Sequence, residues 1–304
     1  MKATLQRDAS GTRRVPRIAV LSGKGGVGKT FAAVNLAAAV PGSLYVDCDV
    51  EEPDGSLFLK PAEEAAAPVE VAHPRFDARR CVGCRTCVEF CAFNALAYIC
   101  DAPMLFAATC HSCGGCAKLC PAGAVTEVGV RVGETARGTS GDIHTLVGRM
   151  DVGIASGMPI LAALRRQEAA VDASFIVRDC PPGNGCLVME SLKGVDFAIL
   201  VAEPTVFGAH NFALVHEMTR HLGIPCGVVL NKCVEGVANP SEEYCRERGI
   251  PVFAAFPFNR KVGRLQSKGV VVTRALPAFR TQFEMLYGHI VERLEQPCSE
   301  KVES

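Results

Sequence analysis

An excess of positive charge and long apolar runs are both missing from this sequence. Its 32 lysines and arginines balance 32 aspartates and glutamates, whereas a general nucleic-acid binder usually carries a basic excess. No apolar run approaches the ~18 residues that span a bilayer. Residues 1–14 carry charges but no apolar segment of the kind found in a secretory signal. We therefore expect a cytoplasmic protein with neither a nucleic-acid partner nor a membrane partner.

Cysteine is abundant in a chain that is otherwise poor in tryptophan and tyrosine. There are 16 cysteines among 304 residues, beside 4 tyrosines and no tryptophan. A disulfide framework is typical of small secreted proteins, and this chain is neither small nor led by a signal. Hydrophobic residues make up 49% and charged residues 21%, which is enough for a folded core. The cysteines therefore indicate metal binding, and the length indicates about two domains.

Short apolar runs alternate with helical patterns along most of the chain. The runs predict strands at 17–22, 44–46, 174–177, 197–201, 227–230 and 252–254. Amphipathic or Ala-rich stretches predict helices at 31–40, 157–167, 208–222, 241–248 and 278–295. This order is typical of an α/β fold with a mostly parallel sheet and helices on both faces. The last helix has an apolar stripe but no basic polar face, which favours docking on the core over lying on a membrane.

A cysteine-rich stretch interrupts this alternation and divides the chain. We predict an N-terminal tail over 1–16, a discontinuous α/β domain over 17–61 and 143–296, an inserted small α+β domain over 62–142, and a C-terminal tail over 297–304. Within the insert, the Ala-, Glu- and Pro-rich residues 62–68 indicate a linker. The Gly- and Thr-rich residues 127–142 indicate a loop that returns to the first domain.

A glycine-rich loop lies between the first predicted strand and the first predicted helix. It fits the pattern G-x-x-x-x-G-K-S/T of phosphate-binding loops, with Gly23, Lys24, Gly25, Gly26, Val27, Gly28, Lys29 and Thr30. Glycines let successive backbone N–H groups turn toward phosphate oxygens at the start of a helix. Lys29 is expected to reach the β- and γ-phosphates of ATP, and the Thr30 hydroxyl to bind Mg²⁺.

The additional lysine in this loop, Lys24, carries a family resemblance. Residues 24–30, KGGVGKT, resemble the deviant Walker A motif of the MinD/Mrp/ParA and nitrogenase iron-protein superfamily of P-loop ATPases. The resemblance covers about 17–61 and 143–295. It implies an ATP-bound homodimer in which Lys24 reaches the phosphates held by the partner chain.

The same resemblance assigns roles to residues that follow later strands. Residues 47–49 resemble the first switch of the superfamily, and residues 179–183 resemble the second. The segments that recognise the base are matched by Asn231, Lys232 and Pro257.

Three carboxylates are expected at the carboxyl ends of the predicted strands, where open α/β sheets bind ligands. Mg²⁺ takes few carboxylates together with phosphate oxygens and water, and Asp47 and Asp179 are suited to hold it. Asp49 lies further into its loop and is predicted to orient the attacking water. A turn or helix-capping role for Asp49 is the alternative.

Eight cysteines fall into two runs with the same spacing, Cys-x2-Cys-x2-Cys-x3-Cys. Bacterial ferredoxins with two 4Fe–4S clusters have this spacing, and the fourth cysteine of each run ligates the other cluster. Zinc sites usually pair two Cys-x2-Cys units, so zinc and disulfides are the less favoured alternatives. The first cluster is predicted to take Cys81, Cys84, Cys87 and Cys120, and the second Cys110, Cys113, Cys116 and Cys91.

Four of the eight remaining cysteines are interpreted as structural. Cys186 lies seven residues after Asp179, the offset of a cluster ligand in the nitrogenase iron protein. That family needs a second cysteine in each chain, and residues 152–157 contain none, which weighs against a shared interfacial cluster. We expect small buried residues at Cys48, Cys180, Cys226 and Cys233, and a free thiol at Cys298.

The combination of motifs allows three functions. The leading hypothesis is an ATP-hydrolysing iron–sulfur protein in which dimer closure gates electron transfer or cluster assembly for an unidentified redox or cluster-receiving partner. The alternative is a MinD/ParA-like positioning or scaffold ATPase with structural or sensing clusters. An ATP-dependent amidoligase is the third, weakened because we find no glutaminase domain.

Overall fold

The computed structural model describes residues 15–295, which form one large sheet flanked by helices. The strands are β1 (Arg17–Ser22), β2 (Leu44–Asp47), β3 (Ala62–Phe76), β4 (Leu96–Ile99), β5 (Ala102–Leu105), β6 (Val125–Ser140), β7 (Ile143–Met150), β8 (Ile176–Asp179), β9 (Phe197–Ala202), β10 (Cys226–Cys233) and β11 (Val252–Pro257). The helices are α1 (Lys29–Ala39), α2 (Gly55–Leu59), α3 (Thr86–Phe90), α4 (Gly115–Lys118), α5 (Met158–Glu168), α6 (Cys186–Ser191), α7 (Val206–His221), α8 (Pro240–Arg248), α9 (Arg260–Gln266), α10 (Val272–Ala275) and α11 (Pro277–Glu295).

The large sheet has nine strands, in the order β11-β10-β9-β1-β8-β2-β7-β6-β3. The seven strands from β11 to β7 are parallel, and β6 and β3 are each antiparallel to the strand before them in this order. The strands β4 and β5 form a separate hairpin. The predicted α/β class, with a mostly parallel sheet, is confirmed.

Helices cover both faces of the parallel strands. On one face, α1 lies against β8 and against α11, and nine of its eleven residues are buried. The α11 side chains of Phe283, Leu286 and Ile290 are fully buried in this core, which confirms that the last helix docks on the protein. No helix among residues 15–295 is both long and apolar enough to cross a bilayer.

Two predictions about the insert are wrong, because residues 62–68 and 127–142 are not loops. They belong almost entirely to β3 and β6, which pair along their whole length from Ala62↔Thr139 to Phe76↔Val125. Ala, Glu, Gly and Pro have low strand propensity, but backbone hydrogen bonds to a neighbouring strand outweigh composition at the edge of a sheet. The two strands therefore extend the sheet of the first domain into the insert.

The outer ends of β3 and β6 form an arm, residues 70–76 and 125–131, that projects past the sheet. The last pair between β6 and β7 is Gly133↔Met150, at the carboxyl end of β7. At the same level, the register between β3 and β6 shifts between Val69 and Glu70. Seven further residues at about 3.3 Å each carry the arm about 23 Å beyond this edge. The cysteine-rich segment lies at its tip, on the edge of the sheet where the phosphate-binding loop also lies.

The predicted tails fall mostly outside the described residues. Residues 1–14 and 296–304, with Cys298, are not part of the described structure. The predicted strands and the five predicted helices are confirmed, with ends that differ by a few residues. The helices that the sequence did not predict are short, none longer than seven residues among those described.

Candidate functional site

The loop of residues 23–30 connects the buried strand β1 to α1 and is held closely by its neighbours. Gly28 has φ 107°, and a Cβ there would overlap the Asn231 side chain. Asn231 Nδ2 donates to the Val27 carbonyl at 2.8 Å, and Ser22 Oγ donates to the Lys24 carbonyl at 2.9 Å. The glycine at position 28 is therefore required by both backbone conformation and space.

Lys29 and the predicted carboxylates come together at the carboxyl ends of β2 and β8. Lys29 Nζ lies 2.5 Å from Asp179 Oδ1 and 3.5 Å from Asp49 Oδ2. Asp47 and Asp179 are paired in register across these strands and are 0% and 1% exposed. The Asp47 carboxylate accepts from the backbone N–H groups of Gly55 at 3.0 Å and Asp49 at 3.2 Å. Four residues that the sequence selected thus share one charged cluster.

Tyr45 is a member of this cluster that sequence analysis missed. Its hydroxyl donates to Asp179 Oδ2 at 2.9 Å and lies 3.3 Å from Asp47 Oδ2. The side chain is fully buried, and a Cβ on Gly55 would overlap its ring. Tyr45 precedes Asp47 by two residues in a strand, which places both side chains on one face and is the signal that could have identified it.

Burial and mutual repulsion shift the acids of this cluster. Burial, reinforced by the Asp179 charge, raises the pKa of Asp47 well above its usual range. Burial raises the pKa of Asp49 to about 6, although the Lys29 charge opposes the shift. Burial lowers the pKa of Lys29, but the nearby carboxylates outweigh it and the net shift is upward. Lys29 is therefore a permanent cation, whereas Asp49 titrates close to neutral pH.

Lys24 lies on the other side of the loop and pairs with a residue that sequence analysis also missed. Its Nζ is 2.6 Å from Glu203 Oε1 and 5.5 Å from the centre of the Phe207 ring. Lys232 Nζ is 3.5 Å from Glu203 Oε2 and donates to the Gly26 carbonyl at 2.5 Å. Pro257, the remaining residue assigned to the base, is exposed at the end of β11.

The cysteines of the two runs line two adjoining cavities at the tip of the arm. The smaller cavity, about 20 Å³, is bordered by Cys81, Cys84, Cys87 and Cys120. The larger, about 300 Å³, is bordered by Cys91, Cys110, Cys113 and Cys116, and Cys87 reaches it as well. These are the two sets that the spacing predicts. Within residues 15–295, no three His, Cys, Asp or Glu side chains converge closely enough to hold a single metal ion.

The other described cysteines are divided between core and surface. Cys48 and Cys180 are buried, as predicted, and burial raises the pKa of both thiols. Cys226 and Cys233 are half-buried and pack against the core. Cys186 is exposed, and it borders a cavity of about 500 Å³ together with Asp49 and Ser156.

A phosphate-binding loop between a strand and a helix, with a lysine and two strand-end aspartates facing it, defines a P-loop nucleotide-binding protein. Residues 18–272 match the family described as CbiA: CobQ/CobB/MinD/ParA nucleotide binding domain. This match spans more than half of the chain, and the protein belongs to that family.

Individual proteins and solved structures are also similar to this chain. Uncharacterized protein MJ0578 of Methanocaldococcus jannaschii is 25% identical, over 91% of this chain and 97% of that protein. The cell division ATPase MinD of Pyrococcus furiosus superposes with a TM-score of 0.57 and 19% identity, over 91% of this chain and 100% of that one. The septum site-determining protein MinD of Pyrococcus horikoshii, complexed with Mg-ADP, gives 0.56 and 18%, over 93% and 97%. At these identities, the solved structures establish a shared fold.

Proposed function

We propose that the protein is a nucleotide-dependent switch ATPase of the MinD/ParA kind that carries iron–sulfur clusters as structural or sensing elements. The observation that carries the first part is the convergence of Lys29, Asp47, Asp49 and Asp179 beside the loop of residues 23–30. This is the alternative among the sequence-based hypotheses, and the family match together with the MinD-like fold favours it over the leading one.

Each residue of the cluster has a chemical task in ATP hydrolysis. Lys29 exchanges the Asp179 carboxylate for the β- and γ-phosphates of ATP, which offer more negative charge. Oxygen ligands suit Mg²⁺, and Thr30, Asp47 and Asp179 would hold an ion that neutralises phosphate charge. Tyr45 and the Gly55 N–H group fix the two aspartates. Asp49, the most exposed acid of the three, orients the attacking water.

The dimer part of the proposal rests on Lys24 and on the surface around it. The lysine lies at the rim of the loop, and next to it the α7 side chains of Val206 and Phe207 are 78% and 65% exposed. Exposed apolar side chains at the edge of a site mark interaction surfaces. We infer that a second copy covers this rim when ATP is bound, with Lys24 on its phosphates. Asn231, Lys232 and Pro257 are proposed to face the base.

Hydrolysis should depend on the ionised form of Asp49. We expect kcat/KM for ATP to fall as the pH drops through about 6, because Asp49 is then protonated and no longer accepts a hydrogen bond from water. Asp49→Asn should keep ATP binding and lower kcat by about 100-fold or more, without this inflection. Phosphate release measured across the pH range, beside ATP affinity from fluorescence titration, checks both effects.

Glu52→Gln provides the matched control. Glu52 is exposed in the same loop, and its charge contributes to raising the pKa of Asp49. The variant should hydrolyse ATP at the parent rate, with its midpoint moved slightly toward lower pH. A parent rate in Asp49→Asn would show that another group positions the water.

The two cysteine-lined cavities support the cluster part of the proposal. A single zinc ion gathers its thiolates at about 2.3 Å, which requires the cysteines to converge on one point. In a 4Fe–4S cluster, each thiolate binds a different iron, so the ligands surround a volume. The four cysteines of each cavity border such a volume. The clusters would supply one-electron chemistry, or hold the tip of the arm together.

ATP-gated electron transfer is the second candidate, favoured by the position of the arm. The arm leaves the sheet at its carboxyl edge, where the loop of residues 23–30 also lies. At its base, Arg131 is 2.9 Å from Asp151, which follows β7, and 3.0 Å from Glu134. Movement of the first switch can therefore reach the clusters through the strands that join them.

A redox titration with and without a slowly hydrolysed ATP analogue separates the two candidates. If the clusters are structural, we expect the midpoint potentials to be the same in both conditions, because a structural cluster keeps its hydrogen bonds and exposure. The titration should be carried out on anaerobic full-length protein, followed by electron paramagnetic resonance. A potential that moves with the analogue, and does not move in Lys29→Met, would replace the first candidate with the second.

A further inference from the structure

Glu203 is a buried acid beside the phosphate-binding loop with more than one cationic partner. It follows β9 and is 8% exposed. Its carboxylate lies 2.6 Å from Lys24 Nζ and 3.5 Å from Lys232 Nζ, and it accepts from Thr205 Oγ1 at 3.1 Å. Burial alone raises the pKa of Glu203, but the hydrogen bonds from Lys24 and Thr205 outweigh it and lower the pKa. Glu203 is therefore ionised at neutral pH.

These contacts hold Lys24 within its own chain. Its ammonium group is bound by Glu203 on one side and lies 5.5 Å from the centre of the Phe207 ring on the other. The side chain keeps 27% of its exposure, so phosphate from outside the chain can approach it. An ammonium that is bound to Glu203 at 2.6 Å must leave it before it can reach the phosphates of another chain.

We propose that Glu203 is a positioning residue that holds Lys24 in its own chain and thereby sets the ATP concentration at which two chains close. The inference rests on the proposed ATP-dependent dimer. Closure exchanges the Glu203–Lys24 ion pair for a pair between Lys24 and the partner's phosphates. The strength of the first pair therefore opposes closure by a fixed free energy, whatever the affinity of one chain for ATP.

Lys232 lowers the free-energy cost of this exchange. When Lys24 leaves, Glu203 still has Lys232 and the Thr205 hydroxyl as partners, so no buried carboxylate is left unpaired. Lys232 is held in place because its Nζ also donates to the Gly26 carbonyl, and its backbone has φ 57°. Without Lys232, Lys24 would be the only cation paired with Glu203 among the described residues, and Glu203 would release it less easily.

The test compares closure with nucleotide binding by a single chain. Light scattering gives the concentration of slowly hydrolysed ATP analogue, with Mg²⁺, at which half of the protein is dimeric. We expect Glu203→Gln to lower this concentration about fivefold, the range expected for loss of one partly exposed ion pair. Glu203→Asp, which keeps the charge but shortens the side chain by one methylene, should lower it as well.

Two further comparisons exclude a merely structural effect. In the Lys24→Ala background, where closure is absent, adding Glu203→Gln should leave the affinity of one chain for the analogue unchanged. Lys232→Met should raise the analogue concentration at which half of the protein is dimeric, which we call the closing concentration. The increase should be larger in the parent protein than in the Glu203→Gln background, because the two residues act on each other.

The outcomes separate this inference from the proposed function. A closing concentration that is the same or higher in both Glu203 variants would overturn the role of Glu203 while leaving the dimer intact. If the parent stays monomeric, closure of Glu203→Gln alone would still support the holding role. Monomers in both proteins would overturn the holding role and the proposed dimer together.

Discussion

Replacing Lys29 with methionine is expected to abolish tight ATP binding. Lys29 is 7% exposed and has the only ammonium group within the described charged cluster that lies close to both Asp179 and Asp49. Without it, the β- and γ-phosphates would meet three carboxylates and no cation from this helix. We expect affinity to fall by about 100-fold or more, because charge-assisted contacts to phosphate are lost and repulsion is added.

The same substitution is expected to destabilise the fold in a pH-dependent way. Removing one partner of a buried ion pair costs about 3 kcal/mol, because Asp179 and Asp47 are left without their counter-charge. Without the Lys29 charge, the pKa values of Asp47 and Asp49, which burial already raises, rise further. The loss of stability is therefore complete only above these raised pKa values, and it shrinks below them as protons bind. Urea denaturation at several pH values measures this dependence.

A paired variant separates binding from stability. In Lys29→Met/Asp179→Asn, the buried negative charge is removed with its partner, so most of the lost stability should return. ATP binding should not return, because the phosphates still lack Lys29. Recovery of ATP binding in the double variant would mean that Lys29 acts on the fold rather than on the nucleotide.

Those parts of the site that were predictable from sequence are local patterns. The loop of residues 23–30 spans eight consecutive residues and each cysteine run spans eleven, so spacing alone specifies which side chains of each motif lie together. Asp47 and Asp179 are 132 positions apart, but both end an apolar strand. Strand ends of a parallel sheet meet at one edge, which makes such a pair predictable as well.

Glu203 and the contact between Tyr45 and Asp179 could not be predicted in this way, because both depend on neighbours that only the fold supplies. Tyr45 reads as an ordinary apolar residue of β2, and its contact with Asp179 comes from the register between β2 and β8. Glu203 meets Lys24 and Lys232 because β9 lies between β1 and β10. A single sequence contains no signal for a pairing of this kind.

The first segment of β3 was missed for a different reason. The first segment of β3 has its side chains mostly exposed, so the alternation of apolar and polar residues that marks a half-buried strand is absent. What holds the segment is the ladder of backbone hydrogen bonds to β6, which any residue except proline can form. Side-chain patterns report burial, and these residues are an edge strand with little burial.

Anaerobically prepared protein is expected to contain about eight iron and eight sulfide per chain, from two 4Fe–4S clusters. Cys113→Ala should reduce both values to about four, because Cys113 borders only the larger cavity and the smaller keeps its four cysteines. Both Cys113 and the control position, Cys100, are exposed, so neither substitution opens a hole in the core. Cys100→Ala should keep the full iron content, because Cys100 borders neither cavity.

The smaller cavity gives the complementary variant. Cys84→Ala should also halve the iron content, because Cys84 borders only the smaller cavity. Cys84→Ala/Cys113→Ala should remove nearly all of the iron, because each substitution removes a ligand of a different cluster. ATP affinity should be unchanged in Cys84→Ala, Cys113→Ala and the double variant, because no side chain of the loop of residues 23–30 borders either cavity. Stoichiometric zinc without sulfide in the parent protein, or full iron in Cys84→Ala/Cys113→Ala, would show that these cavities do not hold 4Fe–4S clusters.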